Sequence, residues 1–302
     1  MAKVVKKKKG TTSFFKFIKW FWIVFIVGVL SAALLFLSAS WGWLGEMPTF
    51  ERLENPQTNL ATQIISSDGV ALGNFYLDDN RTPVDYDELP QNLVDALVAT
   101  EDVRYQEHAG IDAWGTVRAF AYLGSRGGAS TISQQLAKQL FTGMAARGWK
   151  RYTQKIKEWV IAIRLERAYT KEEIIAMYFN IYDFGNNADG IRSASKIYFG
   201  KEPKQLKLEE AAMLVGMFKN SSLYNPIPRR NPVGTKNRRD VVLAQMAKYE
   251  YITEAQKDSL QGLEMNLNFS PQSHRDGLAT YFRMYVQGFM NDWIKKNPKP
   301  AL

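Results

Sequence analysis

The chain of 302 residues has no cysteine, two histidines and no acidic residue before Glu46. Without cysteine there can be no disulfide framework, thiolate zinc site or cysteine nucleophile. His108 and His274 are too few for a histidine-based metal cluster, so any metal would have to be a hard ion held by oxygen ligands. The formal charge of +9 is local. Lys3, Lys6, Lys7, Lys8, Lys9, Lys16 and Lys19 precede the first acidic residue, and removing those seven leaves +2 for the rest. The body of the protein is near neutral, which argues against a broad nucleic-acid-binding face. No internal repeat is present, and the length is ample for a sizeable core.

Charge is missing altogether from Trp20 to Gly45, twenty-six consecutive residues rich in Ile, Val, Leu, Phe and Trp. About twenty apolar residues suffice for a helix to cross a bilayer's hydrocarbon core. Trp20 and Trp22 at one end and Trp41 and Trp43 at the other suit the two interfaces. A cleaved signal peptide has an apolar region of about 7–15 residues, so the length predicts a retained anchor over 20–45. The basic tail, 1–19, would stay cytoplasmic and send everything after Gly45 across the membrane.

Residues 46–89 form a juxtamembrane segment with one strand signal. Thr62 to Ser67 and Val70 to Tyr76 flank Asp68-Gly69, a favoured two-residue hairpin turn, and read as a packing module. From Pro90 the periodicity is helical. Ile156, Trp159, Val160 and Ile163 share a face, as do Ile174, Met177, Tyr178 and Ile181. Leu208, Ala211, Ala212 and Val215 repeat the spacing, and so do Val242, Gln245, Met246 and Tyr249. Thr170 with Glu173 and Thr253 with Gln256 read as capping boxes. One helical domain over 90–262 is expected, then a polar, turn-rich stretch and a last aromatic helix from Leu278 to Lys296, together a linker over 263–302.

Three stretches carry chemistry. Glu101 and Asp102 open EDVRYQEHAG at the end of a half-buried helix, where apolar neighbours would favour a proton-accepting glutamate. The alternative is an acidic helix end with no chemistry. GSRGGASTISQQLAK follows, with glycines at 124, 127 and 128 and a polar row ending in Lys138. Such a row at a helix start suits an anionic or sugar ligand, or is simply a capped polar loop. Glu158 lies off the apolar stripe of its own helix, flanked by Ala162 and Leu165, and is either paired with Lys155 or functional.

EDVRYQEHAG, GGASTISQQLAK, KIKEWVIAIRLE, YFN, GIRSASKIYFGK, EEAAMLVG and LYNP occur in this order between Glu101 and Pro226, within a resemblance that covers about 50 to 262. In order and spacing the blocks resemble the peptidoglycan glycosyltransferase domain, glycosyltransferase family 51, of class A penicillin-binding proteins and their monofunctional relatives.

The resemblance implies a mainly α, lysozyme-like domain on the outer face of the bacterial inner membrane. It would polymerise lipid II into β-1,4-linked glycan with inversion and release of undecaprenyl diphosphate. Glu101 would be the general base and Glu158 the second catalytic glutamate, near the diphosphate. Asp102, His108, Ser130, Thr131, Gln134, Gln135, Lys138, Lys155, Tyr178 and Asn180 would bind substrate. No cofactor is required by this reading, though a divalent cation, Mg or Mn, could bridge Glu158 and the diphosphate. The partners implied are lipid II, the growing strand, the membrane and cell-wall assembly proteins, with no nucleic acid.

Three positions depart from the family pattern. Its Arg-Lys pair reads Gln154-Lys155, its upstream arginine could be Arg147 or Arg151, and Ala176 stands where an acidic residue is common. Two rival readings are a weakened synthase serving as a scaffold and a lysozyme-like hydrolase. SxxK occurs twice, at Ser13 to Lys16 in the N-terminal tail and at Ser193 to Lys196 inside the glycosyltransferase blocks, and KTG is absent. The expectation is therefore no transpeptidase, and a chain that is the front part of a longer protein.

Overall fold

The computed structural model describes residues 11–43, 45, 47–49, 53, 62–69, 71–75, 81–122, 130–143, 147–270 and 279–297. The architecture is mainly α with one small hairpin. Helix α1, Thr11–Ser40, contains a stretch from Phe14 to Ser40 with a mean hydropathy of 2.5, long and apolar enough to cross a membrane. The helix starts before Trp20 and stops before Trp41, so the tryptophans of the second pair sit in the turn that follows it. Arg164 reaches back to that end, donating from Nη2 to the Ser40 carbonyl at 3.1 Å and to Ser40 Oγ at 3.2 Å. A cation at a helix C-terminus satisfies open carbonyls and opposes the negative end of the dipole.

Strands β1, Thr62–Ile65, and β2, Ala71–Phe75, pair antiparallel. Strand β1 stops at Ile65, short of the expected Ser67, residues 70 and 76 at the expected ends of β2 lie outside the described residues, and the two-residue turn at Asp68-Gly69 is not formed. The Gly69 amide instead donates to the Ser66 carbonyl at 2.9 Å, with Gly69 at φ +82°, and the register slips at Ile64/Ile65. A bulge lets the strands meet across a longer connection than the dipeptide signal implied.

The helical domain runs α2 Gln91–Glu101, α3 Ala113–Ala121, α4 Ile132–Ala137, α5 Trp149–Ala168, α6 Lys171–Ile181, α7 Gly190–Phe199, α8 Leu208–Met217, α9 Pro232–Lys248 and α10 Glu254–Gln261, with α11 Thr280–Lys296 beyond it. A π-helical turn, Lys138–Thr142, continues α4. Helix α8 is the hub. Every residue from Ala211 to Met217 is buried, and the helix packs between α2 and α9. A helix apolar all round must lie inside. Both expected capping boxes are formed. Thr170 Oγ1 accepts from the Glu173 amide at 3.2 Å while the Glu173 carboxylate accepts from the Thr170 amide at 2.7 Å, and Thr253 with Gln256 does the same.

Helix α5 turns a different face inward from the one its large apolar residues suggest. Of the expected stripe Val160 is buried and Ile156, Trp159 and Ile163 are half-buried, whereas Gln154, Glu158, Ile161, Ala162 and Leu165 are buried as well. The helix has neighbours on more than one side, α4 and the end of α1 among them, so two apolar faces compete in the pattern. The stretch after Leu263 also differs from a free linker. Met265, Leu267 and Phe269 pack on the core, and the amides of Asn268 and Ser270 donate to Tyr198 and Ile197 of α7 at 3.0 and 2.8 Å.

Candidate active site

Helix α2 presents Glu101 as its last residue. Its apolar face, Leu93, Val94, Ala96, Leu97 and Val98, fixes the helix in the core, and the backbone leaves the helical region at Asp102. Glu101 is half-buried in the wall of a cleft of about 510 Å³. One of its oxygens, Oε2, accepts from Gln135 Nε2 at 2.9 Å, and Gln135 Oε1 accepts from the Tyr178 hydroxyl at 2.8 Å. Asp102, Ser130 and Thr131 line the same cleft.

Several of the expected site residues are turned toward the protein itself. Asp102 Oδ2 accepts from the Ile132 amide at 3.0 Å, and both oxygens lie 3.1 Å from His108 Nε2. The carboxylate thus ties the first amide of α4 to a buried imidazole, a favourable place for negative charge. Thr131 caps α4, accepting from the Gln134 amide at 3.2 Å and donating to the Gly110 carbonyl at 2.7 Å. Gln134 is buried and donates to the same carbonyl at 3.2 Å. Asn180 exchanges two hydrogen bonds with the Val84 backbone, at 2.9 and 2.8 Å. Tyr178 is fully buried, its ring stacked on Phe218 at 4.8 Å.

A second cluster surrounds Glu158, 1% exposed on α5. Arg151 Nη1 lies 2.8 Å from Oε1 and Lys155 Nζ 3.3 Å from Oε2, so of the two candidate arginines it is Arg151 that pairs here. Lys155 also donates to Ser130 Oγ at 2.8 Å, which joins this cluster to the cleft wall. Burial lowers the pKa of Lys155, Glu158 opposes that shift, and the nearby charges of Arg151 and Lys138 add to it. Lys138 is half-buried and has no hydrogen bond or ion pair from its amine among the described residues. Gln154 is buried, with Nε2 3.3 Å from Thr142 Oγ1, and so ties the π-helical turn to α5.

Sequence reasoning missed the basic wall of the cleft: Arg104, Arg118, Lys219, Arg238 and Lys248. Arg104 pairs with Asp112, whose carboxylate also accepts from the Gly115 amide at 2.9 Å. Burial alone would raise the Asp112 pKa; the Gly115 amide and the guanidinium outweigh it, and the net shift is downward. The signal for Arg104 was inside EDVRYQEHAG. Lys219, Arg238 and Lys248 come from elements over a hundred residues further along the chain, and no local pattern marked them.

The donors do not fit a divalent cation held by the protein alone. Both Glu158 oxygens face cations, and no group of three or more acidic or histidine side chains able to hold a metal occurs among the described residues. Ser193 of the second SxxK sequence is buried on α7, and Lys196 pairs with Glu202 at 2.8 Å. The glycines at 124, 127 and 128 lie outside the described residues.

Comparison with known proteins adds the following. The sequence matches the Transglycosylase family over residues 68–247. It is 34% identical to penicillin-binding protein 1A of Pseudomonas aeruginosa over 265 residues, covering 85% of this chain and 31% of that protein. It is 38% identical to penicillin-binding protein 1A of Vibrio cholerae over 236 residues, covering 74% of this chain and 28% of that one. The chain spans under a third of the length of these curated relatives. A crystal structure of penicillin-binding protein 1A from Haemophilus influenzae aligns over 80% of this chain and 25% of its own, at 22% identity and a TM-score of 0.43.

Proposed function

The chain belongs to the Transglycosylase family, the glycosyltransferase domain of class A penicillin-binding proteins, and from that premise we propose that it polymerises lipid II into β-1,4-linked glycan. The observation that carries this reading is the pairing of two unlike sites along one cleft. Glu101 offers a half-buried carboxylate at one place, and Ser130 leads to Lys155 and Arg151 at another.

The chemistry follows from that division. Glu101 takes the proton of the acceptor sugar's 4-hydroxyl as its oxygen bonds to the anomeric carbon of the donor. The bond from that carbon to the diphosphate oxygen breaks, and its electron pair leaves with undecaprenyl diphosphate. Attack opposite the leaving group inverts the centre. Diphosphate departs as an anion, so it needs cations rather than a proton donor, and Lys155, Arg151 and Lys138 supply them. Glu158 holds two of these cations in place. The cleft lining carries more cations, Arg104, Arg118, Lys219, Arg238 and Lys248, than carboxylates, Glu101, Asp102 and Asp112, and this positive balance suits a substrate bearing diphosphate and peptide carboxylates. No step is routed through a metal.

Helix α1 anchors the chain in the inner membrane with its N-terminus cytoplasmic and the cleft on the outer face, where a lipid-linked substrate presents its head group. Other cell-wall assembly proteins would be its partners.

The test is polymerisation of lipid II by the detergent-solubilised chain, wild type beside Glu101→Gln. Loss of about a hundredfold or more is expected on removing a general base. Equal product from both would sink the assignment of Glu101, and no product from either would move the scaffold reading ahead.

A further inference from the structure

We infer that Tyr178 is a positioning residue for this reaction: through its hydroxyl it fixes which end of the Gln135 amide faces Glu101. The inference rests on the reading of Glu101 as the general base.

Three helices meet in this relay. Glu101 ends α2, Gln135 sits in α4 and Tyr178 in α6, linked by contacts of 2.9 and 2.8 Å. A primary amide has a donating end and an accepting end, whereas a carboxylate only accepts. Nε2 of Gln135 must therefore point at Glu101, which leaves Oε1 in need of a donor on its other side. Tyr178 is that donor. Its hydroxyl holds its proton firmly, because burial and then the charge of Glu101 raise its pKa. Were the amide reversed, Oε1 would face a carboxylate oxygen and repel it.

Tyr178 cannot serve by touching substrate. It is fully buried, and its ring is stacked on Phe218 with an interplanar angle of 29°. Its influence runs through Gln135 alone. With Oε2 of Glu101 held by Nε2, the other oxygen has no protein partner among the described residues and keeps a fixed direction. A base held in one orientation toward its proton needs no reorganisation at the moment of transfer.

Tyr178→Phe removes only the hydroxyl and keeps the ring. In the full solubilised chain acting on lipid II, kcat should fall about tenfold, the size of one lost hydrogen bond, with KM unchanged and the chain still folded, its thermal midpoint lowered only by the unpaired Gln135 Oε1. Gln135→Leu should lower kcat at least as far, and adding Tyr178→Phe to it should cost nothing more, since the relay is already cut. Wild-type kcat in Tyr178→Phe would overturn the inference. So would wild-type kcat in Gln135→Leu, or an undiminished tenfold loss when Tyr178→Phe is placed on Gln135→Leu. Glu101→Gln run alongside separates the two ideas: full activity there removes the base, whereas its inactivity beside a fully active Tyr178→Phe removes only the relay.

Discussion

Arg151 Nη1 lies 2.8 Å from Glu158 Oε1, a guanidinium 37% exposed holding a carboxylate 1% exposed. The pair therefore joins solvent to interior, and its two halves are not equivalent. Removing the cation strands a buried charge, while removing the carboxylate frees an arginine already close to water. Arg151→Gln leaves Glu158 with Lys155 alone at 3.3 Å. The partial exposure of the arginine moderates the loss, which we expect at about 1–3 kcal/mol. Thermal unfolding of the solubilised chain checks it, and an unchanged midpoint would mean that Lys155 suffices for Glu158.

Lys155 gives a pH signature of opposite sign in stability and in activity. Its pKa is lowered below the ordinary 10.5, by burial first. In the window between its folded value and 10.5 the unfolded chain binds more protons, so stability from this group rises with pH there. Activity should fall in the same window, as the cation beside Ser130 disappears. Lys155→Arg keeps its charge throughout, so the alkaline limb of its rate profile should lie at higher pH. Superimposable alkaline limbs would show that Lys155 is not the group titrating.

Phe218 sits among four rings, with centroids 4.4 Å from Tyr182, 4.8 Å from Tyr178, 5.4 Å from Phe184 and 5.6 Å from Phe179. Phe218→Ala should cost about 3–5 kcal/mol, because neighbours tied to α6 cannot collapse into the space. Denaturant unfolding reads the loss. A cost under about 1 kcal/mol would mean that the rings repack freely.

Gly110 stands at φ +89°, and a Cβ there would lie 2.8 Å from the Ala162 carbonyl carbon and 2.9 Å from its oxygen. Both are backbone of α5, which cannot step aside as a side chain can. Gly110→Ala combines left-handed strain of about 1–2 kcal/mol with this clash, and should cost about 3 kcal/mol or more. A variant with a wild-type melting curve would show that α5 can move away.

The helices, both capping boxes and the helix-end position of Glu101 were legible because each rests on signals within a few residues. Thr170 needs only Glu173 to announce a helix start, and Glu101 needs only the apolar run before it. The inward face of α5 was not legible, since Ile156, Trp159 and Ile163 make a stronger pattern than the Gln154/Glu158 face the fold buries. The roles of His108, Asn180 and Gln134 were hidden for another reason. Their partners are an aspartate, the Val84 backbone and the Gly110 carbonyl, and only the folded chain reveals that they face inward. The basic wall was missed because Arg104, Lys219 and Lys248 converge from distant elements. The hairpin was placed correctly and its turn was not, because Asp-Gly is compatible with more than one connection length.

The relay from Tyr178 through Gln135 to Glu101 joins residues separated by 43 and 34 positions along the chain. No shorter piece of polypeptide contains it. During synthesis, which runs from the N-terminus, the apolar helix α1 is complete long before Tyr178 exists. The apolar helix is therefore made first, and the contact that joins Glu101, Gln135 and Tyr178 can form only afterwards, so a nascent or truncated chain carries the helix before it carries that contact.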